Sequence, residues 1–305
     1  MKVAALDLGT NTFLCLIAEV DEAGVNKVIA DLHRVVRLGQ GVDKSKSFHP
    51  EALIRAKECL ADFKKEIDKH KVKSVLAMAT SAARDVTNGH ELFEICRGLN
   101  IPLEIISGDD EARLTFSGAT AGGNYSGNTL IVDVGGGSTE FIIGNSKEIL
   151  FEKSLDIGAV RLTERFIKHQ PTPQDELSVM IGYVDQQIAL VQKNISKFKI
   201  DSIVATAGTP TSLAAIEMGG FSDEKVHGFV LTKENLEVKM RIFQNQSVQE
   251  KADKYSLGGR ADIILAGTSI LYRTLVNLNF NHYVVSTRGV RYGVAQELYQ
   301  RSLCG

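Results

Sequence analysis

The chain has 305 residues, 44% of them hydrophobic and 24% charged, a composition typical of a soluble globular protein with room for two domains. Lys and Arg total 35 against 37 for Asp and Glu, and the resulting formal charge of −2 argues against a general nucleic-acid binder. No apolar run approaches the roughly 18 to 20 residues of a membrane-spanning helix and no signal-peptide pattern opens the sequence, so we expect a cytoplasmic protein without a membrane partner.

The first 20 residues predict a β-hairpin whose turn follows a carboxylate. An apolar run ends at Asp7, a glycine permits the turn, and a second apolar run begins at Phe13. The turn carries the polar side chains of Thr10, Asn11 and Thr12. One acid and three hydrogen-bonding side chains are therefore expected at the same end of this hairpin.

The rest of the first half alternates strands and helices, as expected for an α/β protein. The expected strands cover residues 25–31, 72–79 and 101–106, and the expected helices begin near residues 51 and 107. Small-residue turns that follow a strand and open a helix are where α/β proteins place ligand groups. Arg84 lies in such a turn, so we interpret it as a phosphate-binding residue, with a structural salt bridge as the alternative.

Two other polar stretches of this half allow two interpretations each. Arg34 and Arg37 lie in a glycine-flanked loop and either sense the substrate or are simply solvated. Three consecutive acids that end at Glu111 open a helix, where carboxylates stabilise the positive end of the helix dipole. Helix capping explains the first two acids well, and it leaves Glu111 available for catalysis.

The stretch at 129–143 predicts a second hairpin, on which the rest of the chain is organised. The residues that follow the buried strand and its Asp133 are, in order, Val134, Gly135, Gly136, Gly137, Ser138, Thr139 and Glu140. Three glycines let backbone amides approach a ligand closely and form an anion-binding concavity. Asp133 and Glu140 bracket the turn as oxygen ligands of the kind that Mg²⁺ prefers.

This second hairpin repeats the first one. Residues 7–13 and 133–139 share the order strand, Asp, glycine turn, hydroxyl and strand. An internal repeat sets the architecture, and here it predicts two related halves, each with an acid and a phosphate-holding turn. A chance resemblance between two glycine hairpins is the alternative.

The second half continues the same alternation. A glycine-rich segment at 122–127 is the expected boundary and hinge between the halves. Strands are expected at residues 147–155, 200–205 and 283–286, and helices at 171–197 and within 258–276, with others opening near 158 and 288. A turn at 206–211 that contains Gly208 and Thr209 is of the phosphate-binding type. Arg161 either faces the substrate or lies at the surface, and Arg288 and Arg291 are candidates for gripping a polyanion.

Taken together, these stretches resemble the exopolyphosphatase and guanosine pentaphosphate phosphohydrolase family, which belongs to the superfamily of acetate and sugar kinases, heat-shock ATPases and actin. The stretches that carry the resemblance are DLGTNTF (7–13), ATSAARD (79–85), IISGDDEARLTFSGA (105–119), LIVDVGGGSTEFIIG (130–144), LDIGAVRLTE (155–164), ATAGTPTSLAA (205–215) and RGVRYGV (288–294). The resemblance implies an α/β fold of two ribonuclease H-like lobes around an active-site cleft. The expected lobes are residues 1–121 and 122–305, and packing of the last helix back on the first lobe is the alternative for that segment.

The resemblance also implies a role for each candidate residue. Glu111 would activate the attacking water and Arg84 would stabilise charge on the transferred group. The residues implied to bind the substrate are Thr10, Asn11, Thr12, Gly135, Gly136, Gly137, Ser138, Thr139, Gly208 and Thr209, and those implied to hold Mg²⁺ are Asp133, Glu140 and Asp7. Phosphoryl transfer depends on positioning and charge neutralisation, which these groups supply.

The implied activity is removal of the terminal phosphate from inorganic polyphosphate, by a homodimer with no nucleic-acid partner. The alternatives are the same hydrolysis of guanosine pentaphosphate, a small-molecule kinase or ATPase, and an alarmone-binding regulator that does not hydrolyse. The single glycine at 208 argues mildly against a standard adenosine pocket. The resemblance also implies that longer family members carry an additional helical region after this point, so we do not expect processive cleavage of very long chains unless a dimer builds the groove.

Overall fold

The structure is a computed structural model that describes residues 1–121, 123 and 125–304. The chain forms two compact units, the first comprising Met1–Gly123 and Arg288–Gly305 and the second Asn124–Thr287. Among the helices of the described residues, none is both long and apolar enough to cross a membrane.

Each unit contains one β-sheet with helices packed on it. The strands are β1 (Lys2–Leu8), β2 (Thr12–Asp21), β3 (Gly24–Val35), β4 (Ser74–Ala79), β5 (Leu103–Ile105), β6 (Thr129–Val134), β7 (Thr139–Gly144), β8 (Ile149–Leu155), β9 (Ser202–Thr206), β10 (Val230–Thr232) and β11 (His282–Val285). The helices are α1 (Val42–Ser45), α2 (Pro50–Lys69), α3 (Ser81–Arg84), α4 (His90–Gly98), α5 (Gly108–Thr120), α6 (Ala159–Phe166), α7 (Gln174–Ile195), α8 (Gly208–Glu217), α9 (Asp223–Val226), α10 (Lys233–Gln244), α11 (Val248–Lys254), α12 (Ile264–Leu278) and α13 (Val290–Cys304). The α/β class predicted from the sequence is confirmed.

The sheet of the first unit is buried on both faces because its strands alternate two sets of apolar side chains. The strand order is β3-β2-β1-β4-β5. Leu6 and Phe13 pack on the same side as Phe63 of α2, while Val3 packs on the side covered by α13, together with Val294. This period of two follows from strand geometry. The C-terminal helix is thus part of the first unit's core.

The sheet of the second unit repeats this strand order and adds one strand at the end. Its order is β10-β11-β9-β6-β7-β8, so β8-β7-β6-β9-β11 corresponds to β3-β2-β1-β4-β5. In both sheets the hairpin strands pair antiparallel and the next strand joins parallel. The two hairpins also share their register, because Leu8 pairs with Phe13 and Val134 with Thr139. The internal repeat read from the sequence is therefore confirmed.

The predicted hinge lies in the glycine-rich segment between β6 and α5. Gly122 and Asn124 of that segment lie outside the described residues, and the predicted lobe boundary at 121 and 122 stays a prediction. Gly127 is described and has a left-handed φ of 77°, a conformation that glycine adopts without a Cβ penalty.

Helices α5 and α13 approach each other so closely that only glycine fits at their contact. A Cβ on Gly118 would overlap the carbonyl oxygen of Gly289, and a Cβ on Gly293 would overlap that of Leu114. Protein interiors tolerate such overlap poorly, since neighbouring backbone cannot move aside cheaply. The position of α5, which carries Glu111, therefore depends on these glycines.

We expect Gly118→Ala to lower the free energy of unfolding by about 1–3 kcal/mol, because the added methyl group forces α5 and α13 apart. Urea unfolding measures this change. The control is Gly98→Ala in α4, where a Cβ meets nothing within 4 Å and alanine has the higher helix propensity. A Gly118→Ala protein as stable as the Gly98→Ala protein would contradict the close packing of α5 on α13.

A buried ion pair also ties α13 to the sheet. Arg291 donates from Nε to Asp31 Oδ1 at 2.9 Å and from Nη2 to Oδ2 at 2.8 Å. Although burial opposes it, hydrogen bonding to His33 and the charge of Arg291 hold the pKa of Asp31 at about 2. Arg291, a candidate for gripping a polyanion, is thus engaged inside the unit, and its side chain is only 6% exposed.

The same arginine acts on Asp7 at the end of β1. Burial raises the pKa of the Asp7 carboxyl to about 7, and the Arg291 charge opposes this shift only in part. The physical cause is desolvation, which disfavours the charged form of a carboxyl group. A negative charge on Asp7 is therefore costly unless a cation or hydrogen-bond donor joins it.

We expect the cost of a charged Asp7 to appear in the pH dependence of the free energy of unfolding, measured in metal-free buffer. A carboxyl with a raised folded-state pKa holds a proton that the unfolded chain has released, so stability falls as the pH rises from about 4 to about 7. Asp7→Asn should therefore gain about 1–3 kcal/mol relative to the wild type between pH 5 and pH 8, as measured by denaturant unfolding. Asp109→Asn, at an exposed position, is the control, and parallel pH profiles for Asp7→Asn and wild type would contradict the burial effect.

Candidate functional site

The turn between β1 and β2 is held from its carbonyl side by the loop that follows β3. Val36 N and Arg37 N donate to the carbonyl of Asn11 at 3.0 and 2.9 Å, and Gly39 N donates to that of Thr10 at 2.8 Å. Arg37 adopts a left-handed φ of 55°, an uncommon conformation for a residue with a side chain. A Cβ on Gly39 would overlap Thr10, so this loop closely covers the back of the turn.

The backbone N–H groups of this turn point to its opposite side, where they are available to a ligand. Among the described residues, no acceptor receives a hydrogen bond from the backbone N–H of Thr10 or Asn11. Both residues are nonetheless buried, at 7% and 8% exposure. Buried backbone donors are nearly always paired in folded proteins, so unpaired ones at a glycine turn indicate a ligand site. Thr12 lies at the start of β2, where its hydroxyl oxygen accepts a bond from the Asn11 side chain.

Arg84 and Glu111 are brought together at the same edge of the sheet. Both lie just beyond the carboxyl ends of parallel strands, Arg84 in α3 after β4 and Glu111 in the first turn of α5 after β5. Arg84 Nη1 donates to Glu111 Oε2 at 2.7 Å and to the carbonyl of Ile106 at 3.1 Å. The glutamate side chain is only 9% exposed, so it is a desolvated carboxylate paired with an arginine.

In the second unit, the turn between β6 and β7 is held from its carbonyl side by the start of α6. Ala159 N donates to the carbonyl of Gly135, and both Val160 N and Arg161 N donate to that of Gly136, at 2.9 to 3.1 Å. The first amides of a helix lack partners within the helix, and here the turn supplies them. Gly158 makes this approach possible, since a Cβ there would overlap the Gly136 carbonyl.

The three amides on the opposite side of this turn have no partner. No group among the described residues accepts a hydrogen bond from the N–H of Gly136, Gly137 or Ser138. The carbonyl and N–H of a trans peptide point in opposite directions, so anchoring the carbonyls turns these amides away from α6. Gly137 and Ser138 are buried. Adjacent unpaired amides of this kind form an anion-binding concavity.

Two carboxylates flank this turn on the same face of the hairpin. Asp133 and Glu140 pair directly across β6 and β7, and they are 7% and 1% exposed. Glu140 Oε1 accepts a hydrogen bond of 2.7 Å from Ser154, its neighbour on β8. Two buried acids at adjacent positions repel each other when both are charged, and a cation relieves this repulsion.

The donor set fits Mg²⁺, which commonly takes one or two carboxylates and completes its coordination with water and substrate phosphate. No cluster of three or more His, Cys, Asp or Glu side chains suited to a metal ion occurs in the described part of the chain. Asp133 and Glu140 are therefore candidates for a metal site of the second unit that the substrate completes.

The other residues predicted to bind the substrate, Thr139, Gly208 and Thr209, contact neighbouring elements of the second unit. Thr139 is fully buried, and its hydroxyl donates to the carbonyl of Ile157 at 2.5 Å. Gly208 opens α8 beside Arg260, whose guanidinium leaves little room for a Cβ there, and the Thr209 side chain packs against α12. Ala207, just before them, has a φ of 78°. Such strain is often stored at functional sites.

Sequence reasoning missed the residues that support the glycine turn. Gly158 and Arg161 were expected to open a helix, but no motif indicated that the helix start faces the turn. Arg161 neither lies freely at the surface nor projects into solvent, because its Nε donates to the carbonyl of Gly137 at 2.7 Å. No sequence motif indicated a role for Ser154, since its contact with Glu140 depends on strand pairing. A glycine directly before a helix that follows a strand was the only hint available.

Known proteins are similar to this chain over most of its length. The Ppx/GppA phosphatase family matches residues 16–302. Exopolyphosphatase 2 of Mycobacterium tuberculosis is 35% identical over 283 residues, which cover 88% of each chain. A guanosine-5'-triphosphate,3'-diphosphate pyrophosphatase of Aliivibrio fischeri is 28% identical over 99% of this chain and 61% of its own length.

Solved structures share the fold over the whole chain. The crystal structure of an exopolyphosphatase from Cytophaga hutchinsonii superposes with a TM-score of 0.90 at 28% identity, covering 99% of this chain and 98% of the other. The family match at residues 16–302 includes the second hairpin and the acid of α5, and the similarity to the mycobacterial protein covers 88% of this chain. This chain therefore belongs to the Ppx/GppA phosphatase family.

Proposed function

We propose that this protein is an exopolyphosphatase, which removes the terminal phosphate from inorganic polyphosphate with the help of Mg²⁺. Its general class is that of a phosphoanhydride hydrolase, in keeping with the names of relatives that align with nearly all of it. The observation that carries the proposal is the row of unpaired, largely buried amides at Gly136, Gly137 and Ser138, beside two acids. A terminal phosphate matches this arrangement, because it is an anion with several acceptor oxygens and it also binds divalent cations.

In this proposal the turn amides bind the oxygens of the terminal phosphoryl group. The charge on these oxygens changes as the phosphoanhydride bond breaks, and fixed amide dipoles stabilise the transition state without having to reorient. The amides of Thr10 and Asn11 offer the same kind of contact to the substrate. Their orientation is set in advance by the hydrogen bonds on the carbonyl side.

Glu111 acts as the general base that orients and deprotonates the attacking water. Its contact with Arg84 supports this role, since the arginine holds one carboxylate oxygen in place at 2.7 Å. In this proposal Arg84 also stabilises negative charge on the transferred group. An arginine suits both tasks because its planar guanidinium presents several donors at once.

Asp133 and Glu140 would hold Mg²⁺, with Asp7 as a further candidate. When bound, the cation neutralises charge on the phosphate oxygens and thereby favours attack by water. The Ser154 hydroxyl supports this assignment, because a hydrogen bond to Glu140 fixes the direction of the carboxylate.

Guanosine pentaphosphate is the alternative substrate, because its terminal phosphoanhydride presents the same groups to this site. An alarmone-binding regulator without hydrolysis is the second alternative. A homodimer in the cytoplasm, without a nucleic-acid partner, remains part of the proposal and rests on composition and family resemblance.

We expect Glu111→Gln to lower the rate of phosphate release by about 10²–10⁴-fold while substrate affinity changes little, because the amide cannot accept the water proton. The assay compares long polyphosphate, short polyphosphate, guanosine pentaphosphate and ATP in the presence of Mg²⁺. Asp109→Asn is the matched control, since this acid lies in the same helical turn but is exposed.

The panel also separates the alternatives. Cleavage of polyphosphate that is lost in Glu111→Gln but kept in Asp109→Asn supports the proposal. Cleavage of guanosine pentaphosphate alone would favour the alternative substrate. Nucleotide binding without any hydrolysis by the wild type would favour the regulator, and full activity of Glu111→Gln would remove Glu111 from the mechanism.

We expect chelation of divalent cations to abolish phosphate release and Mg²⁺ to restore it. Glu140→Gln should raise the Mg²⁺ concentration needed for half-maximal activity by about tenfold or more, because an amide oxygen is a weaker ligand than a carboxylate. Glu148→Gln, at an exposed position in the turn between β7 and β8, is the control. Equal Mg²⁺ requirements for the two variants would argue against Glu140 as a ligand.

A further inference from the structure

Arg161 of α6 contacts the candidate phosphate turn of the second unit. Its Nε donates to the carbonyl of Gly137 at 2.7 Å, and its side chain is only 11% exposed. Arg161 also lies 3.9 Å from Asp156, which is 80% exposed, so solvent screens this ion pair. One partner of this buried cation is therefore a backbone carbonyl in the candidate phosphate turn.

The contact lies on the side of the turn opposite to the available amides. The Gly137 carbonyl and the Ser138 N–H belong to one peptide group, and in a trans peptide they point in opposite directions. A hydrogen bond from a charged donor to the carbonyl polarises this group and makes its N–H a stronger donor. The Ser138 amide is one of the three without a partner in the described chain.

The start of α6 acts in the same direction. Its first amides donate to the carbonyls of Gly135 and Gly136, and the helix dipole places partial positive charge there. All three glycine carbonyls thus face positive groups, and the amides of the next residues face away from them. Arg161 adds a full positive charge to this arrangement.

We propose that Arg161 is a positioning residue for the phosphate turn. It does not contact the substrate, but it fixes the peptide between Gly137 and Ser138 and adds positive charge behind it, so that the turn amides bind a terminal phosphate more strongly. This inference rests on the proposed function in taking phosphate as the ligand. The burial of Arg161 contradicts a plain surface role, and a direct substrate contact stays the alternative interpretation.

The experiment compares Arg161→Ala, Arg161→Lys and the wild type. Arg161→Ala should lower kcat/KM for phosphate release by about 10- to 100-fold, as is typical when a group that orients a binding residue is lost. It should also weaken the binding of inorganic phosphate, measured by calorimetry on the intact chain. Arg161→Lys keeps the charge and should recover most of both losses.

The matched control is Arg165→Ala, one turn further along the same helix. Arg165 stacks on Phe166 and Tyr183, with its Cζ 5.3 and 4.6 Å from the ring centroids, and it is exposed. Its removal tests whether the loss of any arginine from α6 disturbs the turn. We expect wild-type phosphate affinity and kcat/KM from this variant.

The outcomes separate this inference from the proposed function. An active wild type whose Arg161→Ala variant keeps its phosphate affinity and kcat/KM would overturn the inference and leave the proposed function intact. A wild type that hydrolyses no substrate but loses phosphate affinity on Arg161→Ala would support the inference while the proposed function fails. If Arg161→Ala and Arg165→Ala lose thermal stability and activity together, Arg161 has a structural role only and the inference is wrong.

Discussion

Hydrogen bonds to the carbonyl side of two β-turns are the constraint on which the candidate site depends. In the first unit the loop after β3 donates amides to Thr10 and Asn11, and in the second unit the start of α6 donates to Gly135 and Gly136. A peptide anchored through its carbonyl has no freedom to rotate its N–H. Each unit thereby holds the N–H groups of its turn in a fixed direction.

This arrangement has a cost that the rest of each unit must offset. A buried donor without a partner destabilises the folded state by about 1–3 kcal/mol. Both turns connect strands in the middle of a sheet whose faces are covered by apolar helices, and this packing keeps the turns from relaxing. Strain and unpaired groups are often stored at functional sites in this way.

Three arginines of the chain hold other groups in place. Arg291 pairs with Asp31, Arg84 pairs with Glu111, and Arg161 bonds the turn carbonyl at Gly137. Each of these guanidinium groups makes a charge-assisted hydrogen bond, which offsets the cost of its desolvation. An arginine near a candidate phosphate turn can therefore either bind the ligand or hold neighbouring residues in position. Its hydrogen bonds distinguish these two roles.

The α/β class, the internal repeat and most strands follow from the sequence alone, because hydrophobic periodicity and glycine turns are local signals. The carboxylates at Asp7, Asp133 and Glu111 were also predictable, since each lies where a strand ends or a helix begins. Helices α4, α10 and α11 were not predicted, although α4 and α10 each bury apolar side chains on one face. Only the tertiary structure decided what Arg161, Gly158 and Ser154 do, since their partners lie on separate elements and strand pairing or helix docking brings them together.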